Sequence, residues 1–424
     1  MVLGLFILND FAFGDTFEAT FLLFISLLSE GWILKTLAFA ILVGSVMELI
    51  EKSGGVDGFI RYLEKKKNFI TSPRSALMLS YFIGVVIFIE SSITSLIAGA
   101  VGKPLCDKYK IPHAKLAFVC DSTSAPICSL IVLNGWGALL LGLISSQITL
   151  GMISGNSIDI LMESVLYNFY AMSALAVTFL AVWFNIDVGA MKEVTFSKSK
   201  IYKTHRGSSM FYMVLPILLM VISVFVFLYI TGDGDFWRGS GSSSIFYTML
   251  STLLFTLVYF VGSKNMTFGM WAKSAFIGGK KLFSIAMILL FAFAIGKVTV
   301  ELKTGLYLAS LVNGSLSVYM LAGAIFLLSS IMAFSTGTSW GTFSIMIPVA
   351  VPMAVGMDAN VALCIGAVIS GGVFGDHCSP ISDTTIISAM ASGCEVIEHV
   401  KTQLPYALFS GLLAIVLFLI FSFK

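Results

Sequence analysis

Residues 371–388, reading GGVFGDHCSPISDTTIIS, set Asp376, His377 and Asp383 among serines, threonines and a proline between two strongly apolar runs. An ionisable side chain at bilayer depth is expensive unless it is solvated, paired or bound to a cation, so its default reading is a functional site. Pro380 and the neighbouring glycines break a helix there. Broken backbone persists inside a membrane only where protein or a water-filled cavity surrounds it. The segment therefore reads as an ion or substrate site, with Asp376 and Asp383 as charged ligands and Ser379, Thr384 and Thr385 as neutral oxygens. Asp383 is expected at the N-terminus of the returning half-helix, where Ser382 and the threonines supply capping chemistry. The plainer reading makes both acids structural caps or partners of an interfacial lysine. His377 reads equally as a tuner of a neighbouring proton or as a hydrogen-bond donor to the broken helix.

The elements that position these residues must lie in lipid. Of the 424 residues, 58% are hydrophobic and only 11% charged, and the apolar runs recur along the whole length. Spanning helices need about 20 apolar residues each, which places candidates at 33–50, 161–184, 210–230, 245–262, 282–300, 316–334 and 406–423. The fold class expected is an all-α polytopic protein, multi-pass in the cell membrane, with the lipid bilayer as its first partner. Residues 1–30 carry Asp10, Asp15, Glu18 and Glu30 without a basic residue, so they lack the positive start of a cleavable signal and read as an interfacial or short spanning piece. The net charge of +2 gives no case for nucleic acid, because Lys and Arg are gathered in short loops, as the positive-inside rule requires. The six cysteines show no CxxC pair and no zinc-finger spacing, so a disulfide or metal framework is not expected.

The basic loops set orientation. Arg61, Lys65, Lys66, Lys67 and Arg74 mark one cytoplasmic loop, Lys103 to Lys115 a second, Lys192 to Arg206 a third and Lys264 to Lys281 a fourth, leaving Asp233 and Asp235 outside. Residues 75–102 lie between two of these loops and reach roughly 42 Å as a helix, too short to cross twice a hydrocarbon core of about 30 Å. A shortened pair of helices, or a dip into the membrane, with a break near residues 90–92 fits, which puts Glu90 at the break.

The chain then repeats its grammar. Phe88 opens a hydroxyl-rich break that leads through Pro104 to Cys120-Asp121-Ser122-Thr123-Ser124-Ala125-Pro126-Ile127, and Phe334 opens another, containing Thr338, that leads through Pro352 to Gly375-Asp376-His377-Cys378-Ser379-Pro380-Ile381. The connector after Pro104 is basic and the one after Pro352 is not, so the two lie on opposite faces. That is the pattern of inverted-topology repeats whose broken helices meet near the midplane, where half-helix N-termini and unwound carbonyls hold small ions. The divisions expected are 1–30, a first inverted repeat at 31–185, connecting loops and helices at 186–300, and the core of the second repeat at 301–424. Asp121 and Asp376 would face each other across the pseudo-symmetry, with Ser122, Thr123 and Ser124 either lining the cavity or bonding their own helix carbonyls.

Three stretches carry a family resemblance: Thr338-Ser339-Trp340-Gly341-Thr342-Phe343, then 375–386, then His399-Val400-Lys401-Thr402-Gln403-Leu404-Pro405-Tyr406-Ala407. Together they resemble the Na+/H+ antiporter NhaC family, and residues 115–126 resemble that family's KLAYxxDSTAAP segment. The resemblance covers at least residues 30–424. It implies a secondary transporter of the ion-transporter superfamily with inverted repeats and re-entrant hairpins, working as a homodimer. Where the family commonly reads Phe-Asp-Asp-Tyr, this chain has Phe88-Ile89-Glu90-Ser91, which reduces paired acids to one. The N-terminus is short beside typical members, so an early helix is missing or reduced.

Na+ prefers hard oxygen ligands, and a proton competes for the same carboxylate because desolvation disfavours the charged acid. Buried aspartates can thus exchange Na+ for H+ by alternating access, both ions being cargo and no cofactor being implied. The rival within transport is a Na+-coupled symporter or exchanger of an amino acid or small organic acid. Catalysis is remote. The GxGD pattern of intramembrane aspartyl proteases is mis-spaced here, no Tyr-Asp dipeptide occurs, and none of the four histidines opens an HExxH helix. Lesser features have plain readings. Asn134, Trp136 and Trp340 sit at turns, in reach of cargo, although tryptophan at a boundary is more often an interface anchor. Lys297 and Glu301 are spaced for an ion pair, His113, His205 and His399 fall in loops or at interfaces, and the HVKTQLPYA stretch reads as packing for the start of the last helix.

Overall fold

A computed structural model describes residues 1–55, 58, 62, 70–88, 91–196, 209–234, 239–302 and 317–423. Among the described residues the regular elements are helical: α1 (Val2–Leu8), α2 (Phe13–Ser29), α3 (Gly31–Lys52), α4 (Pro73–Val86), α5 (Ser91–Tyr109), α6 (His113–Leu130), α7 (Gly135–Thr149), α8 (Ser157–Leu166), α9 (Phe169–Trp183), α10 (Phe211–Thr231), α11 (Gly241–Gly262), α12 (Phe268–Glu301), α13 (Val318–Thr336), α14 (Ser339–Gly356), α15 (Val361–Cys378), α16 (Asp383–Ser392) and α17 (Val396–Phe421). Six are long and apolar enough to cross a membrane, or up to eight spans if each of two bent pairs counts as one. Glu90, His205, Asp235 and the basic residues at 61–67 and 198–206 lie outside the described residues.

Local chemistry sets the breaks. Ser72 and Ser75 form a capping box with Pro73 in the first turn of α4. One helix ends at Val86 and the next begins at Ser91, close to the break expected at residues 90–92. The equivalent break in the second half follows α13, where Gly337 takes a left-handed φ of +66 and Thr338 caps α14 through Gly341 N. Each half then runs through an 18-residue helix, α6 or α15, into a second break before α7 or α16. The order of helices and breaks from α4 to α7 is thus repeated from α13 to α16.

Two expectations about breaks are corrected. The run at 161–184 is two helices bent by 41°, because Asn168 caps α9 through Ala171 N and stops α8 short. Pro126 lies inside α6, four residues before its end, whereas Pro380 stands in the open connector; a proline one turn inside a helix bends it without ending it.

The two central helices are the best enclosed. Every residue of α6 from His113 to Ser129 is buried, and α15 is the most enclosed of the spans. α15 packs on α13, α14 and α17, and α6 on α5, α9, α16 and α17. Glycines let α15 and α13 approach closely: a Cβ on Gly375 would strike Ser330 O of α13, and one on Gly371 would strike Phe326 O. Trp136 is buried, with its ring 6.4 Å from Trp340 and 5.7 Å from Phe343, so it is an interior packing residue and not an interface anchor. Lys297 donates to Ser26 Oγ of α2 at 3.0 Å in place of the expected pairing with Glu301.

Candidate functional site

Four elements of the second half and two of the first bring their polar residues to one place. Asp121, at the middle of α6, is fully buried. Its Oδ2 accepts from Gln403 Nε2 at 2.8 Å, lies 3.1 Å from His399 Nε2 and accepts from Thr385 Oγ1 at 3.3 Å, while Oδ1 accepts from Ser388 Oγ at 3.3 Å. These donors come from α16 and α17, at i,i+3 and i,i+4 spacing that puts each pair on one helix face. His377 bridges the halves: Nδ1 is 2.6 Å from Tyr170 OH of α9, and Nε2 is 3.2 Å from Ser122 Oγ and 3.7 Å from Asp121 Oδ2.

Asp376 is buried one residue away, near the end of α15. Its Oδ2 accepts from Ser339 Oγ, in the first turn of α14, at 2.8 Å. Its Oδ1 makes no hydrogen bond among the described residues. Asp383 opens α16 as expected, with Ser382 at the N-cap, but Ser382 Oγ meets Thr384 Oγ1 at 3.0 Å and does not cap the backbone. Asp383 is exposed and accepts from Thr384 N at 2.9 Å, because α16 turns Thr384, Thr385, Ser388, Ala389 and Ser392 inward. The expectation of two buried acids in this loop is therefore corrected: the buried pair is Asp376 and Asp121. Asp376 remains within electrostatic reach of both Asp383 and Asp121.

The hydroxyls divide. Ser122 touches His377, whereas Thr123 Oγ1 donates to Val119 O at 2.8 Å and Ser124 Oγ to Asp121 O at 3.0 Å, within their own helix. Ser379 Oγ donates to Phe334 O at 2.8 Å, tying the second break of that half to the first. Its counterpart in the first half is Asn134, whose Nδ2 donates to Phe88 O at 2.7 Å while its Oδ1 caps α7. Thr385 reaches Asp121, and Thr384 stays in the loop with Ser382. Thr338 is half-buried and caps α14.

Sequence reasoning missed His399, Gln403, Tyr170, Ser339 and Ser388. His399 was expected at a loop or interface, and instead it is fully buried against Asp121. A signal existed: His399 and Gln403 stand four apart in a helix that runs on into a long apolar stretch, where a polar stripe must face protein. A second network was also missed, in which Asn168 joins Ser129 at 2.8 Å to Ser370 at 3.0 Å and links α6, α9 and α15.

Helices that break at matching places in both halves, with carboxylates at the junction, define a multi-pass membrane protein of the secondary-transporter class. Residues 127–423 match the model of the Na+/H+ antiporter family, and the chain belongs to that family. It is 31% identical over 441 residues to a Haemophilus influenzae protein described only as uncharacterized, covering 96% of this chain and 83% of that one. It is 38% identical over 104 residues to an uncharacterized Na(+)/H(+) antiporter of the same organism, covering 24% of this chain and 22% of the relative. The crystal structure of the Alcanivorax borkumensis YdaH transporter shares its fold, with a TM-score of 0.66 at 14% identity over 96% of this chain and 89% of that one.

Proposed function

We propose that the protein exchanges Na+ for H+ at Asp376 by alternating access. The observation that carries this reading is the buried Oδ1 of Asp376, which has no hydrogen-bond partner among the described residues. A buried carboxylate oxygen left bare is costly. Either a proton on the acid or a cation bound to it relieves that cost, and the two cannot occupy the oxygen together. Ser339 Oγ, already 2.8 Å from Oδ2, and the nearby Ser382 supply neutral oxygens, and Asp383, within electrostatic reach of Asp376, adds a second negative charge that favours a cation. An empty, ionised site resists crossing a low-dielectric barrier, which couples outward movement of one ion to inward movement of the other. Membership of the Na+/H+ antiporter family supports the same reading.

The test is proton movement in proteoliposomes under an imposed Na+ gradient, followed by an internal pH dye and by electrical recording. Alkalinisation or acidification driven by Na+ alone is expected, and Asp376→Asn removes it while the protein still elutes as a folded species. Transport that starts only when an amino acid or a small organic acid is added would replace exchange with cargo-coupled carriage. Full exchange by the Asp376→Asn variant would sink the assignment of the site.

A further inference from the structure

We propose that Gln403 is a positioning residue for the cation site: its single carboxamide nitrogen ties Asp121 of the first half to the backbone that carries Asp376 in the second. The inference rests on the reading of Asp376 as the exchange carboxylate. Gln403 Nε2 donates to Asp121 Oδ2 at 2.8 Å and also to the carbonyl oxygen of His377. His377 O belongs to the last turn of α15, where carbonyls have no partner within their own helix and need one from outside. Gln403 therefore satisfies an orphan carbonyl one residue from Asp376.

The surroundings show that this tie is the adjustable one. The His377 side chain is already held by α9 and α6 through Tyr170 and Ser122, and Asp121 is held by α16 through Thr385 and Ser388. Among the described residues, only the Gln403 amide hydrogen-bonds both Asp121 and the α15 main chain. Gln403 itself is fully buried, and its Nε2 carries both of these bonds. His399, one turn earlier on α17, adds a second hold on Asp121 but makes no bond to α15. Ser339 stands in the first turn of α14, so its 2.8 Å contact with Asp376 spans α14 and α15 and depends on where the end of α15 is held. Gln403 thus sets the distance between Asp376 and its neutral ligand without touching the ion.

Gln403→Met keeps the side-chain length and removes the donor. In proteoliposomes it should raise the Na+ concentration for half-maximal exchange about tenfold while leaving the maximal rate within about twofold, since a positioning loss weakens binding before it removes chemistry. In nanodiscs, amide hydrogen exchange of residues 376–382 should speed up about tenfold, with α10 and α11 unchanged, because local opening there loses one anchor. The second readout does not depend on cargo. If the wild-type protein moves no protons with Na+, the function proposed above fails, and the amide-exchange arm alone decides the role of Gln403. Half-saturation within twofold of wild type, unaltered exchange at 376–382, or a maximal rate as low as that of Asp376→Asn would each overturn the proposal. Should Gln403→Met fail to fold, Gln403→Asn, one methylene shorter with its carboxamide intact, is expected to show the same two changes at smaller size. Wild-type behaviour in that variant overturns it equally.

Discussion

The two second breaks of this molecule, between α6 and α7 and between α15 and α16, look alike and treat their aspartates differently. Both follow helices of 18 residues, and both send a side chain back to the phenylalanine carbonyl freed at the first break, Asn134 to Phe88 O and Ser379 to Phe334 O. Asp121, however, lies at mid-helix, and neighbouring helices surround it and supply donors to both of its oxygens. Asp376 lies in the last turn before its break, where no helix continues past it, and its Oδ1 has no hydrogen-bond partner among the described residues. On the function proposed above, the depth of an acid within its helix separates a carboxylate closed off by its neighbours from one open to exchange.

The largest test of that contrast is in transport. Asp376→Asn should abolish Na+-driven proton movement with little loss of stability, because asparagine keeps the shape of the side chain and an oxygen that accepts from Ser339 Oγ. Asp121→Ala should behave in the opposite order: it strands donors from His399, Gln403, Thr385 and Ser388 and should lower unfolding stability in detergent by about 3 kcal/mol. If Asp121→Ala melts like wild type and loses only transport, the contrast is wrong. The paired ties come next. Asn134→Ala removes a cap and a bridge to Phe88 O and should cost about 2 kcal/mol, against about 1 kcal/mol for Ser379→Ala, which loses a single bond. Equal losses by thermal unfolding would show that the two breaks are energetically alike. The smallest effect is expected from Ser124→Ala, within about 0.5 kcal/mol of wild type and with unchanged exchange, because its hydroxyl serves only its own helix.

Much of this plan was legible before any fold. The composition places the chain in lipid, the two hydroxyl-rich breaks lie near Glu90 and at Gly337, and Asp376 and Asp383 are singled out together by flanking a helix-breaking proline. The bend at Asn168 escaped notice because one asparagine in an apolar run carries no periodic signature; its effect depends on Ser129 and Ser370, which reach it from two other helices. His399 was misplaced for a related reason. Its local neighbours suit a helix start at an interface, and only the arrival of Asp121 from far along the chain turns it into a buried partner.

What the amino-acid order alone determined, then, is where the backbone can be helical, where it must break, and which residues are too polar to be left in lipid. Those are local matters of hydrogen bonding and solvation. What the tertiary arrangement decided is the partnership of each polar group: Asp121 closed off by α16 and α17, Asp376 left open beside Ser339, Asp383 turned outward. Partnership depends on distances between segments hundreds of residues apart, and no local spacing encodes which of several carboxylates the packed helices will leave a bare oxygen.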